Sequence, residues 1–353
     1  MLRSFLIALV LITTPQAFAT QLTHAAVVQH DGSRGMAATL RQLAASAKPV
    51  WIAWDEPTAD PKSSMCCFES IDAGDKSHWR GGRCSLADRR NGFSIGDNGA
   101  MPAVNRTTFS IFARAANGVV EELRLFSEDC AVDGEGLTVH YLTNVAPADS
   151  ITWLEAYAQE ESTRTKKDSH EAAAAIATHR GPQAIDALER LVTRAQSTSV
   201  RANAAFWLGH RGGTRGRQIL RGVIDQADSH QLIDQAIAGI AQDDAREATD
   251  LLLSLAKTHR SPQVRKQSIF WLGQRAGEKA TEHLKEAADD PDQEVREMAV
   301  FSISQLPRDQ GIPELIRLAR THKNRGVREK AIFWLGQSGD PRALEYIEEV
   351  LTK

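Results

Sequence analysis

The sequence predicts a mainly α protein: an α-solenoid of about six helix pairs, preceded by a small α+β domain that contains disulfides. Three observations predict it. Near-identical segments recur at a fixed period along the C-terminal half, all four cysteines lie in the first half, and only the first half carries strand-like runs joined by Asn-Gly turns. At 353 residues the chain is long enough for two folded units, each with its own core.

The repeat is legible by direct superposition. VRANAAFWLGH from Val200, VRKQSIFWLGQ from Val264 and VREKAIFWLGQ from Val327 are spaced by 64 and 63 residues. Weaker copies lie halfway, at Leu232 and Val295, and one step earlier at Asp168, so six units of 31 or 32 residues tile the chain to its end. Each unit reads as two helices. In the first, Val264, Ser268, Trp271 and Leu272 share a face; in the second, Ala280, Leu284 and Ala287, or Ile312, Leu315, Ile316 and Ala319, do the same. Breakers fall between them at Gly181-Pro182, Gly212-Gly213, Gly277, Asp290-Pro291 and Asp340-Pro341. One helix pair cannot bury both apolar faces, so the units must stack.

Val-Arg at the start of the first helix, Ala in its middle and Leu-Gly at its end resemble the HEAT-like repeats first named in phycobilisome lyases, and the whole resembles a bacterial exported HEAT-repeat protein. The resemblance implies a stacked-helix fold over about 185 residues; proteins of this kind include scaffolds, regulators and a few chromophore lyases. Units 1, 3 and 5 depart from it, with Ile176-Ala177, Ile240-Ala241 and Ile303-Ser304 in place of Leu-Gly. Trp207, Trp271 and Trp334, beside Phe206, Phe270 and Phe333, read as inter-repeat core rather than a ligand-gripping ladder. His259 and His322 each follow a Thr at the end of a second helix, where imidazoles are expected to meet unpaired carbonyls.

Residues 20–148 form the expected α+β domain. Met36, Leu40, Leu43 and Ala47 make one helix stripe closed by Lys48-Pro49, and a strand follows at Val50 to Trp54. Thr107 to Arg114 and Val119 to Phe126 flank Asn117-Gly118 as a hairpin, with a further strand over Leu137 to Leu142. The stretch from Glu56 to Val104 reads as loop-rich. Cys66, Cys67, Cys84 and Cys130 read as two disulfides, with Cys66 and Cys67 each reaching to Cys84 or Cys130 in an order left open; their spacing does not suit zinc. Residues 149–353 are expected to be a capping helix, carrying Ile151, Leu154 and Ala158 on one face, followed by the solenoid.

Residues 1–19 read as a secretory signal peptide, with Arg3 before the apolar run Phe5 to Ile12 and a cleavage site at Ala17-Phe18-Ala19. The expected location is therefore periplasmic or secreted, with no membrane span after signal removal. Lys plus Arg number 42 against 45 Asp plus Glu, for a net charge of −3, and neither half is basic, which disfavours nucleic acid.

Nucleophile-elbow, zinc-helix, phosphate-loop and calcium-loop motifs are absent, and Asp129 and Asp133 lack the other ligands a calcium loop needs. The acid pairs Asp55-Glu56 and Glu128-Asp129 read as solvated. No catalytic, cofactor-binding or metal site is expected. The expected function is a scaffold that binds a protein or peptide of the cell envelope, with Arg190, Arg217, Arg221, Lys285 and Arg317 on the exposed side of the second helices as its binding face. Two alternatives are an envelope regulator or sensor, and a lyase-like or hydrolytic enzyme.

Overall fold

The computed structural model describes residues 20–62, 64–71, 78–81, 84–87, 93–96, 105–160, 166–275 and 278–352. The signal-peptide reading at residues 1–19 and the breaker Gly277 lie outside the described residues. The chain divides into two compact units, Met1–Ser150 and Ile151–Lys353.

The first unit runs β1 (Gln21–Thr23), β2 (Ala26–Asp31), α1 (Met36–Ala44), β3 (Val50–Pro57), β4 (Ser64–Ile71), β5 (His78–Gly81), β6 (Cys84–Ser85), β7 (Phe93–Gly96), β8 (Thr108–Ala116), β9 (Val119–Ser127), β10 (Ala131–Asp133) and β11 (Thr138–Thr143). Its main sheet has the order β2-β11-β3-β8-β9, with β2, β11 and β3 parallel and the β8-β9 hairpin antiparallel. Trp51, Ile52, Ala53 and Trp54 of β3 are all buried, so the central strand is covered on both faces and reads as an unbroken apolar run. Trp51 and Ala53 join Phe112, Phe126, Val139 and the four cysteines in one core. The helix α1 packs on β3 and β8 and buries Met36, Leu40 and Ala44. The hairpin turn has φ of 51° at Asn117 and 80° at Gly118, the I′ geometry that Asn-Gly favours. Its two N–H groups donate to the carbonyls of Ser46 and Ala44 at 2.8 and 2.7 Å, which caps the end of α1.

The stretch expected to be loop holds strands. β4 pairs with β5 and β7, and β6 joins a small parallel sheet of order β1-β10-β6. The disulfides settle the open pairing as Cys66–Cys130 and Cys67–Cys84, with Cα separations of 5.5 and 5.3 Å.

After α2 (Pro147–Gln159), which spans the boundary, the second unit runs through α3 (Lys166–Thr178), α4 (Pro182–Arg194), α5 (Thr198–Arg211), α6 (Gly213–Gln226), α7 (His230–Gln242), α8 (Arg246–Thr258), α9 (Pro262–Gln274), α10 (Glu278–Ala287), α11 (Gln293–Ser304), α12 (Arg308–Thr321), α13 (Arg325–Gln337) and α14 (Pro341–Leu351). From α3 onward the odd helices are the first helices of the six units, and each packs on the next odd helix. The side chains of Ser229, Asp292, Asn324 and Asp340 cap helix N-termini, and Pro182, Pro262 and Pro341 start helices where no N–H is needed.

The Arg of the repeated Val-Arg serves as a C-cap for the preceding helix. Arg201 donates to the carbonyl of Val192 (2.8 Å), Arg265 to His259 (2.9 Å), Arg296 to Asp290 (2.7 Å) and Arg328 to His322 (2.6 Å). Arg265 also forms a bidentate pair with Asp290 at 2.8 and 2.9 Å.

The Gly of Leu-Gly lies inside the first helix and permits close helix approach. A Cβ on Gly209 would meet the backbone of Gly239 and Ile240 at 2.6 Å, and one on Gly273 would meet Ser302 Cβ at 2.6 Å. Gly239 and Ser302 stand where Trp207 and Trp271 stand in the neighbouring units. The doubled period is therefore an alternation of large and small residues, so that α7 and α11 can lie tightly against α5 and α9. This also explains why units 3 and 5 need no Leu-Gly of their own.

Candidate docking surfaces on the solenoid

Four of the five expected binding-face cations are engaged by carboxylates within the chain. Arg190 makes a bidentate contact with Glu155 of α2 (2.8 and 2.6 Å), Lys285 pairs with Glu282 (2.9 Å) and Arg317 pairs with Glu314 on its own helix. Arg217, expected to be exposed, is 8% exposed and pairs with Asp243 and the Thr214 hydroxyl. Glu282 and Glu314 lie three residues before their partners on the same helices, whereas sequence spacing could not reveal Glu155 and Asp243, which are brought in from outside the helix of their partner. Arg221 lines a cleft of about 380 Å³ with Asp225, Ser254, Leu255, Thr258, His259 and Arg260.

In that cleft the Nε2 of His259 lies 3.2 Å from Asp225, and its Nδ1 accepts the N–H of Ser261 at 3.1 Å. His322 repeats the device with Asp289 at 3.4 Å and the N–H of Asn324 at 3.1 Å. The imidazoles thus accept from the turn that follows rather than donate to helix carbonyls, a correction to the expected capping role. The accepting Nδ1 fixes the neutral tautomer with its proton on Nε2, facing aspartate.

The aromatic residues are less uniformly core than their apolar neighbours suggested. Trp207 is buried, whereas Phe206, Phe270, Trp271, Phe301 and Trp334 are half-buried and Phe333 is 53% exposed. They form two patches separated by α7, which has no aromatic residue. The first joins His170, Phe206, Trp207 and His210 on α3 and α5. The second is a continuous row across α9, α11 and α13. Trp271 lies edge-on to Phe270 (5.3 Å), Phe270 stacks on Phe301 (6.3 Å), Phe301 meets Trp334 (5.2 Å) and Trp334 meets Phe333 (5.1 Å). Phe301 sits in a weak copy of the repeat, so the sequence comparison of the strong copies missed it.

In the first unit most of the acids named from sequence are held by neighbouring groups. Asp55 accepts from Ser110 and from the Tyr141 hydroxyl (2.7 Å), and Glu56 is buried, so this acid pair is not solvated as expected. Burial, with Asp55 beside it, raises the Tyr141 phenol above its usual range. Glu128 accepts from the N–H and hydroxyl groups of Thr107 and Thr108. Burial alone would raise its pKa, but these bonds together bring it below 4.5. Asp129 holds Arg106 through two bonds of 2.6 Å, and Asp133 faces His24. Cys66, Asp129 and Cys130 cluster closely, yet the two thiols are joined and the carboxylate is taken by Arg106.

Residues 223–304 and 281–353 match the family described as HEAT repeats. No curated protein matches the chain. Among solved structures, YibA of Escherichia coli is 20% identical, with 55% of this chain and 71% of that one covered and a TM-score of 0.37. Human deoxyhypusine hydroxylase in complex with glycerol is 19% identical, covering 57% and 77%, with a TM-score of 0.26. The complex of CpcE and CpcF of phycocyanin lyase from Nostoc sp. PCC7120 is 22% identical, covering 43% and 97%, with a TM-score of 0.33. The helical half of the chain is a repeat solenoid, and its residues 223–353 match the HEAT repeats.

Proposed function

We propose that this protein is exported, loses residues 1–19, and acts in the periplasm or outside the cell as a scaffold that binds a protein or peptide of the cell envelope. Residues 20–148 are a disulfide-containing domain and residues 149–353 the binding domain. The observation that carries this reading is the row Trp271, Phe270, Phe301, Trp334 and Phe333 on successive first helices. Partly exposed aromatic rings in a contiguous row give a partner large apolar area at low conformational cost. The two disulfides are compatible with an oxidising compartment, and among the described residues no helix is long and apolar enough to cross a membrane. Of the cations named from sequence, Arg221 lines a cleft and is not part of this row.

The test is affinity capture from an envelope fraction using the mature chain with its disulfides formed, beside a Phe301→Ala, Trp334→Ala variant whose folding is checked by circular dichroism. One protein captured by the native chain and lost by the folded variant is the expected result. Equal capture by both, or turnover of a small molecule with no protein captured, would refute it.

A further inference from the structure

In two places the chain shows what covers the Ile-Phe-x-x-Gly type of first-helix surface. On α5, Ala205 is 0% exposed and Gly209 lies under Gly239 of α7; on α9, Ile269 is 1% exposed and Gly273 lies under Ser302 of α11. The covering helix in each case brings a small residue against the glycine. In α13 the equivalent residues are Ile332, Phe333 and Gly336. Here Ile332 is 37% and Phe333 53% exposed, and a Cβ on Gly336 would meet nothing within 4 Å.

The charges differ between the covered and the open surface, with Glu329 where α9 has Lys266 and Arg325 where it has Pro262. Lys266, two residues after the Val of its unit, pairs at 2.6 Å with Glu294 of the covering α11. The same position in α13 is Glu329, whose exposed partner Arg325 is on its own helix. An exposed pair of this kind is worth little and is readily exchanged.

We infer that the outer face of α13 around Gly336 is a docking site for an amphipathic helix that carries a small residue opposite Gly336 and a basic residue where α11 carries Glu294. The inference rests on the protein-binding reading and names the chemistry of a partner. A small residue is required because the helix backbones must approach as closely as α9 and α11 do. A basic residue is required because Glu329 has replaced Lys266 at the facing position. A second copy of α13 does not meet this description, since it offers Trp334 where α11 offers Ser302.

The probe is a hydrocarbon-bridged, fluorescein-labelled peptide of residues 291–305 carrying Glu294→Lys, titrated against the full chain by fluorescence anisotropy. It should bind about tenfold more tightly than the unaltered sequence at low salt, and added salt should narrow the difference. Gly336→Leu should weaken binding by about tenfold or more without lowering the melting temperature, because the added side chain meets no neighbour. Equal binding of the two peptides, binding that survives Gly336→Leu, or no binding of either peptide would overturn the inference. So would a dimer of the native chain, seen by sedimentation, that Gly336→Leu dissolves. If the peptides fail while a protein is still captured through Phe301 and Trp334, this inference falls and the scaffold reading stands.

Discussion

Replacing Gly239 by Ala tests whether the doubled repeat rests on close helix approach. The added methyl group would run into the Phe206 carbonyl, which belongs to the backbone of α5 and cannot turn aside. Ala in place of Gly inside a helix is favourable by about 1 kcal/mol. Overpacking against an unyielding neighbour costs about 1–3 kcal/mol. Here α5 and α7 must also separate, loosening Ala205, Leu208 and Ile240, so a net loss of about 2 kcal/mol is expected. For a unit of roughly 200 residues this lowers the melting temperature by about 4–8 °C. Gly336→Ala has the same helix propensity gain and no collision, so it should raise the melting temperature by about 2–4 °C. Urea and thermal unfolding, followed by circular dichroism and tryptophan fluorescence, read both. A Gly239→Ala chain as stable as the native one, or a destabilised Gly336→Ala chain, would refute the account of the repeat.

Arg265→Ala should cost the solenoid about 3 kcal/mol by leaving Asp290 buried without its partner, and Arg265→Lys should not restore it because lysine lacks the bidentate fork; urea midpoints of the two variants decide. Asp290 has a pKa below the ordinary 3.8, since burial raises it but the Arg265, Asp292 N–H and Arg296 interactions together lower it further. A depressed folded-state value means that this stabilisation is present above about pH 4 and is lost as pH falls through the folded value. Unfolding measured from pH 6 down to pH 2 should show that loss, reduced in Asp290→Asn. Reduction should lower the stability of the first unit and leave the solenoid transition in place. The loop model gives about 4 kcal/mol for Cys66–Cys130, with a separation of 64 residues, and about 3 kcal/mol for Cys67–Cys84, with a separation of 17. Differential scanning calorimetry with and without reductant measures it.

The solenoid was legible because its signal is periodic: helices, breakers and unit boundaries follow from spacing alone. The role of Leu-Gly was not, because the partner that makes the glycine necessary lies in the next unit, at a position where the strong copies carry Trp. The hairpin at Asn117-Gly118 was legible because its turn needs two residues of positive φ. The strand β4 was hidden by its cysteines and by the loop-like residues around it, and β2 by being an exposed edge with little apolar alternation. For the docking surfaces, sequence spacing placed Arg217 on a helix face but could not show Asp243 beside it. Likewise, apolar neighbours made the tryptophans look like core, whereas the exposure of Phe333 and the contact from Phe301 to Trp334 depend on how the units stack.

The most direct test of protein binding through the first helices is site-specific photo-crosslinking in cells, with a photoreactive residue placed at Phe301 or Phe333 and, for comparison, at Arg221 on α6. The account predicts that the first-helix positions cross-link to the same envelope protein and that Arg221 gives a weaker product or none. Cross-links from Arg221 with none from Phe301 or Phe333 would contradict it and move the binding surface to the second helices.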